Sequence, residues 1–158
     1  MKNTTKIFTS SASNEWETPQ DLFDRLNNKY KFTLDVASTD ENAKCKKHFT
    51  IDDNGLEKSW SGEIVFCNPP YGREIGKWVK KAYEESKNGT KIVMLIPARV
   101  DTKWFHEYLY NKEEENIKIE FIKGRLKFIN KTLPSYREDG SFKASPAVFP
   151  SMLVYFNL

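Results

Sequence analysis

Ile64 to Ala82 reads IVFCNPPYGREIGKWVKKA. Its first four residues are apolar, the pattern of a strand buried on both faces of a parallel sheet. Asn68-Pro69-Pro70-Tyr71 stops that strand, because two prolines supply no N–H to a ladder and fix φ near -65°. Ile75, Trp78, Val79 and Ala82 then recur at helical spacing. Asn88-Gly89 ends the helix, and Ile92 to Ile96 (IVMLI) gives a second continuous apolar strand before Pro97. Strand, rigid loop, helix and strand in succession argue for an α/β sheet.

Working outward, Thr18-Pro19-Gln20-Asp21 reads as a helix start, with Thr18 as N-cap and Pro19 at the first helical position. Leu22, Phe23 and Leu26 follow as one apolar face. Phe32 to Val36 (FTLDV) reads as a strand, Asp40 to Lys46 as a short helix and His48 to Ile51 as a weak second strand. Phe105, Tyr108 and Leu109 mark a further helix. Ile117–Ile122 and Leu126–Ile129 read as a hairpin around Lys123-Gly124. Asn130 to Pro146 is a long polar loop, and Met152 to Phe156 closes the sheet. The expected fold is a mostly parallel sheet with helices on its faces and an antiparallel C-terminal hairpin. Ligands of such sheets sit beyond the carboxyl ends of the strands. Asp35-Val36-Ala37-Ser38 and Asn68 to Tyr71 both fall there.

The 158 residues fit one domain, read as 15–158 behind a flexible tail, 1–14. The tail has no apolar signal core, and no apolar run approaches the roughly 20 residues of a membrane span. Cys45 and Cys67 read as free thiols of an intracellular chain. Two cysteines and two histidines at these spacings make no metal site. His48 and His106 read as structural, and Trp78 and Trp104 as helix-face core. Net charge is only +3, yet Ile117 to Lys143 holds seven bases against three acids. Such a strip suits a phosphate backbone, or is a solvated face.

The loop has a chemistry of its own. An exocyclic amino nitrogen on adenine is a poor nucleophile, since its lone pair is delocalised into the ring. Two fixed acceptors that draw its hydrogens free that pair for attack on an activated methyl group. Asn68 offers its side-chain oxygen and Pro69 its carbonyl. Pro70 rigidifies the loop, and Tyr71 offers a face for an extrahelical base to stack on. No strong general base is required, which suits a chain with two histidines.

At this point the chain resembles the phage-type, Dam-like DNA N6-adenine methyltransferases. The resemblance runs from about Glu15 to Phe156. It is carried by Glu15-Trp16-Glu17-Thr18-Pro19, Leu34-Asp35-Val36-Ala37, Asn42-Ala43-Lys44-Cys45, Cys67 to Gly72, Pro97 to Thr102, Gly124 to Phe128 and Phe149 to Met152. It implies a Rossmann-like methyltransferase fold, S-adenosylmethionine as donor and double-stranded DNA as partner. It also implies a phage or prophage origin, action in the cytoplasm of a bacterial host and a role such as protection from restriction. By position, Asn68 to Tyr71 match the catalytic tetrapeptide, and Thr18 and Pro19 the segment at the methionine end of the cofactor. Asp35 and Ala37 stand where the first cofactor-binding strand ends. Asp52, 17 residues after Asp35, stands where an acid takes the ribose hydroxyls. Phe128 matches an aromatic that sandwiches the flipped base against Tyr71. The chain departs from many methyltransferases in lacking a glycine-rich turn after its first strand: residues 35–39 hold no glycine.

Several roles stay open on sequence alone. Asp35 is a ligand residue or a strand-end cap. Phe128 faces a base or fills the core, and Trp16 covers the cofactor or anchors the tail. Arg99 holds a phosphate or carboxylate, or forms a surface ion pair. Arg125 and Lys127 touch DNA phosphates or are merely solvated. The acceptor is DNA adenine, with RNA adenine, protein glutamine and the cytosine amino group as alternatives, beside a nucleic-acid-binding relic without activity. The recognition sequence and oligomeric state are not legible.

Overall fold

The computed structural model describes residues 16–128 and 147–158. Helix α1, Gln20–Tyr30, buries Leu22, Phe23 and Leu26, the stripe expected. It ends at Lys31 (φ 57°), whose N–H bonds the Asn27 carbonyl at 2.9 Å. Strands β1 (Leu34–Asp35) and β2 (Ile64–Cys67) precede helix α2, Ile75–Lys87. Strand β3 (Lys91–Pro97), helix α3 (Lys103–Tyr108) and strands β4 (Ile117–Phe121) and β5 (Ser151–Phe156) complete the order. The described strands form one sheet in the order β1-β2-β3-β5-β4. β1, β2 and β3 are parallel, while β5 runs antiparallel to both β3 and β4.

Apolar continuity explains the centre. β3 and β5 are buried almost throughout, and β2 buries Val65, Phe66 and Cys67. α2 lays Ile75, Trp78, Val79 and Ala82 on the sheet. Register fixes the working edge. Asp35 pairs with Phe66, Cys67 with Met94, and Pro97 with Ser151. The chain therefore leaves β1, β2 and β3 on one side, and β4 ends there too, since Phe121 pairs with Met152.

The structure differs from the sequence reading at five places. Thr18 is not the cap of α1: Pro19 holds that position, with no side-chain cap bond, and the Thr18 hydroxyl is taken by Asn68. The first strand shrinks to Leu34–Asp35, although Thr33 and Val36 also bond the β2 backbone. The second becomes a single bridge, Asp35 to His48, because Asp53 captures the Thr50 N–H at 2.9 Å and turns the chain. Asp40 to Lys46 forms no helix, since Thr39 and Asn42 bond each other's backbone and side chain. The expected hairpin also differs. β4 takes the more apolar β5 as its partner, and Leu126–Phe128 lie in no strand. Residues 1–14 and 130–146, read as tail and loop, lie outside the described residues.

Trp60, in a stretch without periodic signal, is fully buried. Its indole N–H donates to the Gly55 carbonyl at 2.9 Å, its ring stacks on Trp78 at 6.4 Å, and its backbone N–H donates to Glu85. It fastens the loop after the bridge onto α2.

Candidate active site

Beyond the carboxyl ends of β1 and β2 lies a cavity of about 340 Å³, within the size of small-ligand sites. Trp16, Thr18, Asp35, Ala37, Asp52 and Asn68 all line it, with Pro69 and Pro70. Pro19, expected with them, does not line it.

Asn68 is the first residue past β2. Its Nδ2 donates to the Trp16 carbonyl at 2.6 Å and to the Thr18 hydroxyl at 2.9 Å. Its Oδ1 is buried and has no hydrogen-bond partner among the described residues. A buried acceptor left unpaired costs about 1–3 kcal/mol, so native structures keep one only where something explains it. Among the described residues no N–H donates to the Pro69 carbonyl either. The loop thus holds two acceptors that no described residue uses.

Tyr71 is buried, and its hydroxyl donates to the Leu95 carbonyl at 3.0 Å. Burial pushes its phenol well above the ordinary range, against a smaller opposite pull from Arg99. The ring meets Phe128 at 6.1 Å and 88°, and Phe149 at 5.6 Å and 79°. Trp16 joins the same cluster, at 5.7 Å from Phe128 and 5.4 Å from Phe149. Tyr71 and Phe128 are thus edge to face, whereas a base between parallel rings needs about 3.5 Å on each side.

Asp35 is buried at the end of β1, and its carboxylate accepts the N–H of Lys44 at 3.0 Å and of Ala37 at 3.3 Å. Burial raises its pKa, and those two backbone bonds oppose the rise. Asp52 has no hydrogen bond or ion pair to a described residue, whereas its neighbour Asp53 is spent on Thr50. Lys44 was not singled out in the sequence. Its side chain, 7% exposed, reaches Gln20 at 2.8 Å and Glu17 at 3.6 Å and ties α1 to this wall. Phe149 was missed too. Both stand in stretches that carry the family resemblance, which was the available signal. His48 has a partner that spacing could not reveal: Asp40 at 2.8 Å. That hydrogen bond raises its pKa.

The glycine absent from residues 35–39 has a counterpart from elsewhere in the chain. A Cβ on Gly55 would lie 2.3 Å from the Val36 carbonyl oxygen and 3.1 Å from Trp78. Only glycine admits this approach of two backbones at the cavity wall. Gly55→Ala is expected to weaken ligand binding in the cavity about tenfold or more and to cost about 1–3 kcal/mol of stability. Calorimetric titration with S-adenosylhomocysteine and a urea unfolding curve measure the two.

Arg99, Arg125 and Lys127 are exposed and outside the cavity. They follow β3 and β4 on the working edge, and none forms an ion pair with a described residue. Phe128 is 1% exposed. Among the described residues no group of three or more His, Cys, Asp or Glu could hold a metal, and no helix is long and apolar enough to cross a membrane.

These features define an α/β protein with a ligand cavity at the carboxyl ends of parallel strands, flanked by an Asn-Pro-Pro-Tyr loop with unused acceptors. The chain belongs to the DNA N-6-adenine-methyltransferase (Dam) family, whose profile matches residues 5–154. The DNA N-6-adenine-methyltransferase of Escherichia phage T1 is 38% identical over 101 residues, 63% of this chain and 42% of that protein. The protein of the same description from Haemophilus phage HP1 is 28% identical over 117 residues, 73% of this chain and 66% of its own length. The chain thus spans less than half of the first relative and about two thirds of the second.

Proposed function

We propose that this chain transfers a methyl group from S-adenosylmethionine to N6 of adenine in double-stranded DNA, with the base turned out of the duplex toward Asn68 to Tyr71. The observation that carries the reading is the Asn68 amide: its N–H₂ is fully used, and its oxygen is buried without a partner among the described residues. Oδ1 and the Pro69 carbonyl would each take one N6 hydrogen, which draws the nitrogen toward a tetrahedral shape. Because Oδ1 is buried, a base reaches it only after neighbouring side chains move. The clustered rings of Trp16, Tyr71, Phe128 and Phe149, once parted, would offer stacking faces.

S-adenosylmethionine, when bound, supplies a methyl group already activated on a sulfonium. The residues present fit it. Asp35 offers a carboxylate for the ammonium and Asp52 one for the ribose hydroxyls. The buried Ser38 hydroxyl, without a partner among the described residues, offers a further polar contact at the same wall. Gly55 packs the following loop against Val36 at the same wall, which supports a Rossmann-like site with an altered loop. The two phage relatives support a phage- or prophage-encoded enzyme acting in the cytoplasm of a bacterial host, with a role such as protection from restriction.

Arg99, Arg125 and Lys127 would hold phosphates. Each neutralised phosphate contributes about 0.9 to the slope of log affinity against log salt. Arg125→Gln with Lys127→Gln is expected to weaken DNA binding and to reduce that slope by about 2, measured by fluorescence anisotropy over a salt series. Transfer of label from S-adenosylmethionine to duplex DNA tests the function. Label entering only RNA or protein would move the acceptor, and cofactor binding without any transfer would leave a relic.

A further inference from the structure

We infer that Thr18 is a positioning residue that holds the Asn68 amide in the orientation the Trp16 carbonyl selects, with its oxygen toward the target. The inference rests on the function proposed above. The two ends of a carboxamide are nearly equal in size, so hydrogen bonds choose between them. Here both Nδ2 hydrogens are spoken for, one by the Trp16 carbonyl at 2.6 Å and one by the Thr18 hydroxyl at 2.9 Å. A carbonyl only accepts, so a reversed amide would set two oxygens against each other at the Trp16 side. It would also turn a donor toward a target amino group that is itself a donor. Thr18 is 2% exposed, so water does not replace its hydroxyl. The bond joins residues 50 apart. By resemblance Thr18 belongs to the cofactor, but its hydroxyl is given to Asn68.

The test compares Thr18→Val, which keeps the shape and removes the acceptor, with Thr18→Ser, which keeps the hydroxyl. Turnover, KM for DNA and calorimetric affinity for S-adenosylhomocysteine are measured on each. The expected result is a kcat about ten- to a hundredfold lower in Thr18→Val, cofactor affinity within twofold of native and most of kcat restored in Thr18→Ser. Weakened cofactor affinity at native kcat would overturn the inference in favour of a cofactor contact. Equal losses in Val and Ser, with lower thermal stability, would reduce Thr18 to packing. A readout independent of activity is the Asn68 side-chain NH₂ signal in nitrogen-15 spectra. It is expected to exchange slowly in the native protein and faster in Thr18→Val, and no change there would overturn the lock. If the native protein methylates no adenine while this signal responds as expected, the proposed function fails and the lock stands.

Discussion

Asn68→Ala is expected to remove methyl transfer, lowering kcat by about 10²–10³-fold or more. The substitution deletes Oδ1, a buried acceptor that no described residue uses. If that oxygen takes an N6 hydrogen only as the nitrogen becomes tetrahedral, its loss falls on kcat and spares ground-state binding. A second consequence follows from the other end of the amide. The Trp16 carbonyl and the buried Thr18 hydroxyl lose their donor, and a buried polar group left so costs about 1–3 kcal/mol. Some loss of stability therefore accompanies the loss of rate, and a thermal melt separates the two. Single-turnover kinetics with excess enzyme give the chemical step, and calorimetry with S-adenosylhomocysteine checks that the cavity still binds.

Trp60→Ala is expected to cost about 3–5 kcal/mol of unfolding free energy, a fall in Tm of about 6–20 °C for a chain of this size. The side chain has no exposed surface, so its removal leaves a cavity between the 55–60 loop and α2. It also frees the Gly55 carbonyl, bonded at 2.9 Å, and takes the stacked ring away from Trp78. Because Gly55 sits against Val36 at the cavity wall, cofactor affinity should fall with stability. Trp60→Phe, which fills most of the space and leaves the carbonyl unpaired, should fall between. Urea unfolding followed by circular dichroism measures all three.

Much of this was legible in the chain. IVFC and IVMLI are apolar on both faces and become β2 and β3, and the 3.6-residue repeat of Ile75, Trp78, Val79 and Ala82 becomes α2. The tetrapeptide stands where strand-loop-helix order puts it, at a cavity edge that also takes Asp35, Ala37 and Asp52. What was not legible depends on partners distant in sequence. β4 pairs with β5 across a long stretch, not with the segment that follows it, because strand choice is decided by which apolar faces meet. Trp60 has no periodic neighbours to mark it as core. Residues 35–39 hold no glycine, and only the fold brings Gly55 against Val36. Thr18 has the composition of a helix cap, but tertiary contact with Asn68 outbids the local role.

Methylation of the amino nitrogen of adenine at the Asn68–Tyr71 loop can be read from the product itself. Unmethylated duplex DNA incubated with the protein and isotopically labelled S-adenosylmethionine, digested to nucleosides and resolved by mass spectrometry, tests it directly. Labelled N6-methyldeoxyadenosine is expected from the native protein and none above background from Asn68→Ala. Label on the cytosine amino nitrogen, or undiminished N6-methyldeoxyadenosine from Asn68→Ala, would contradict it.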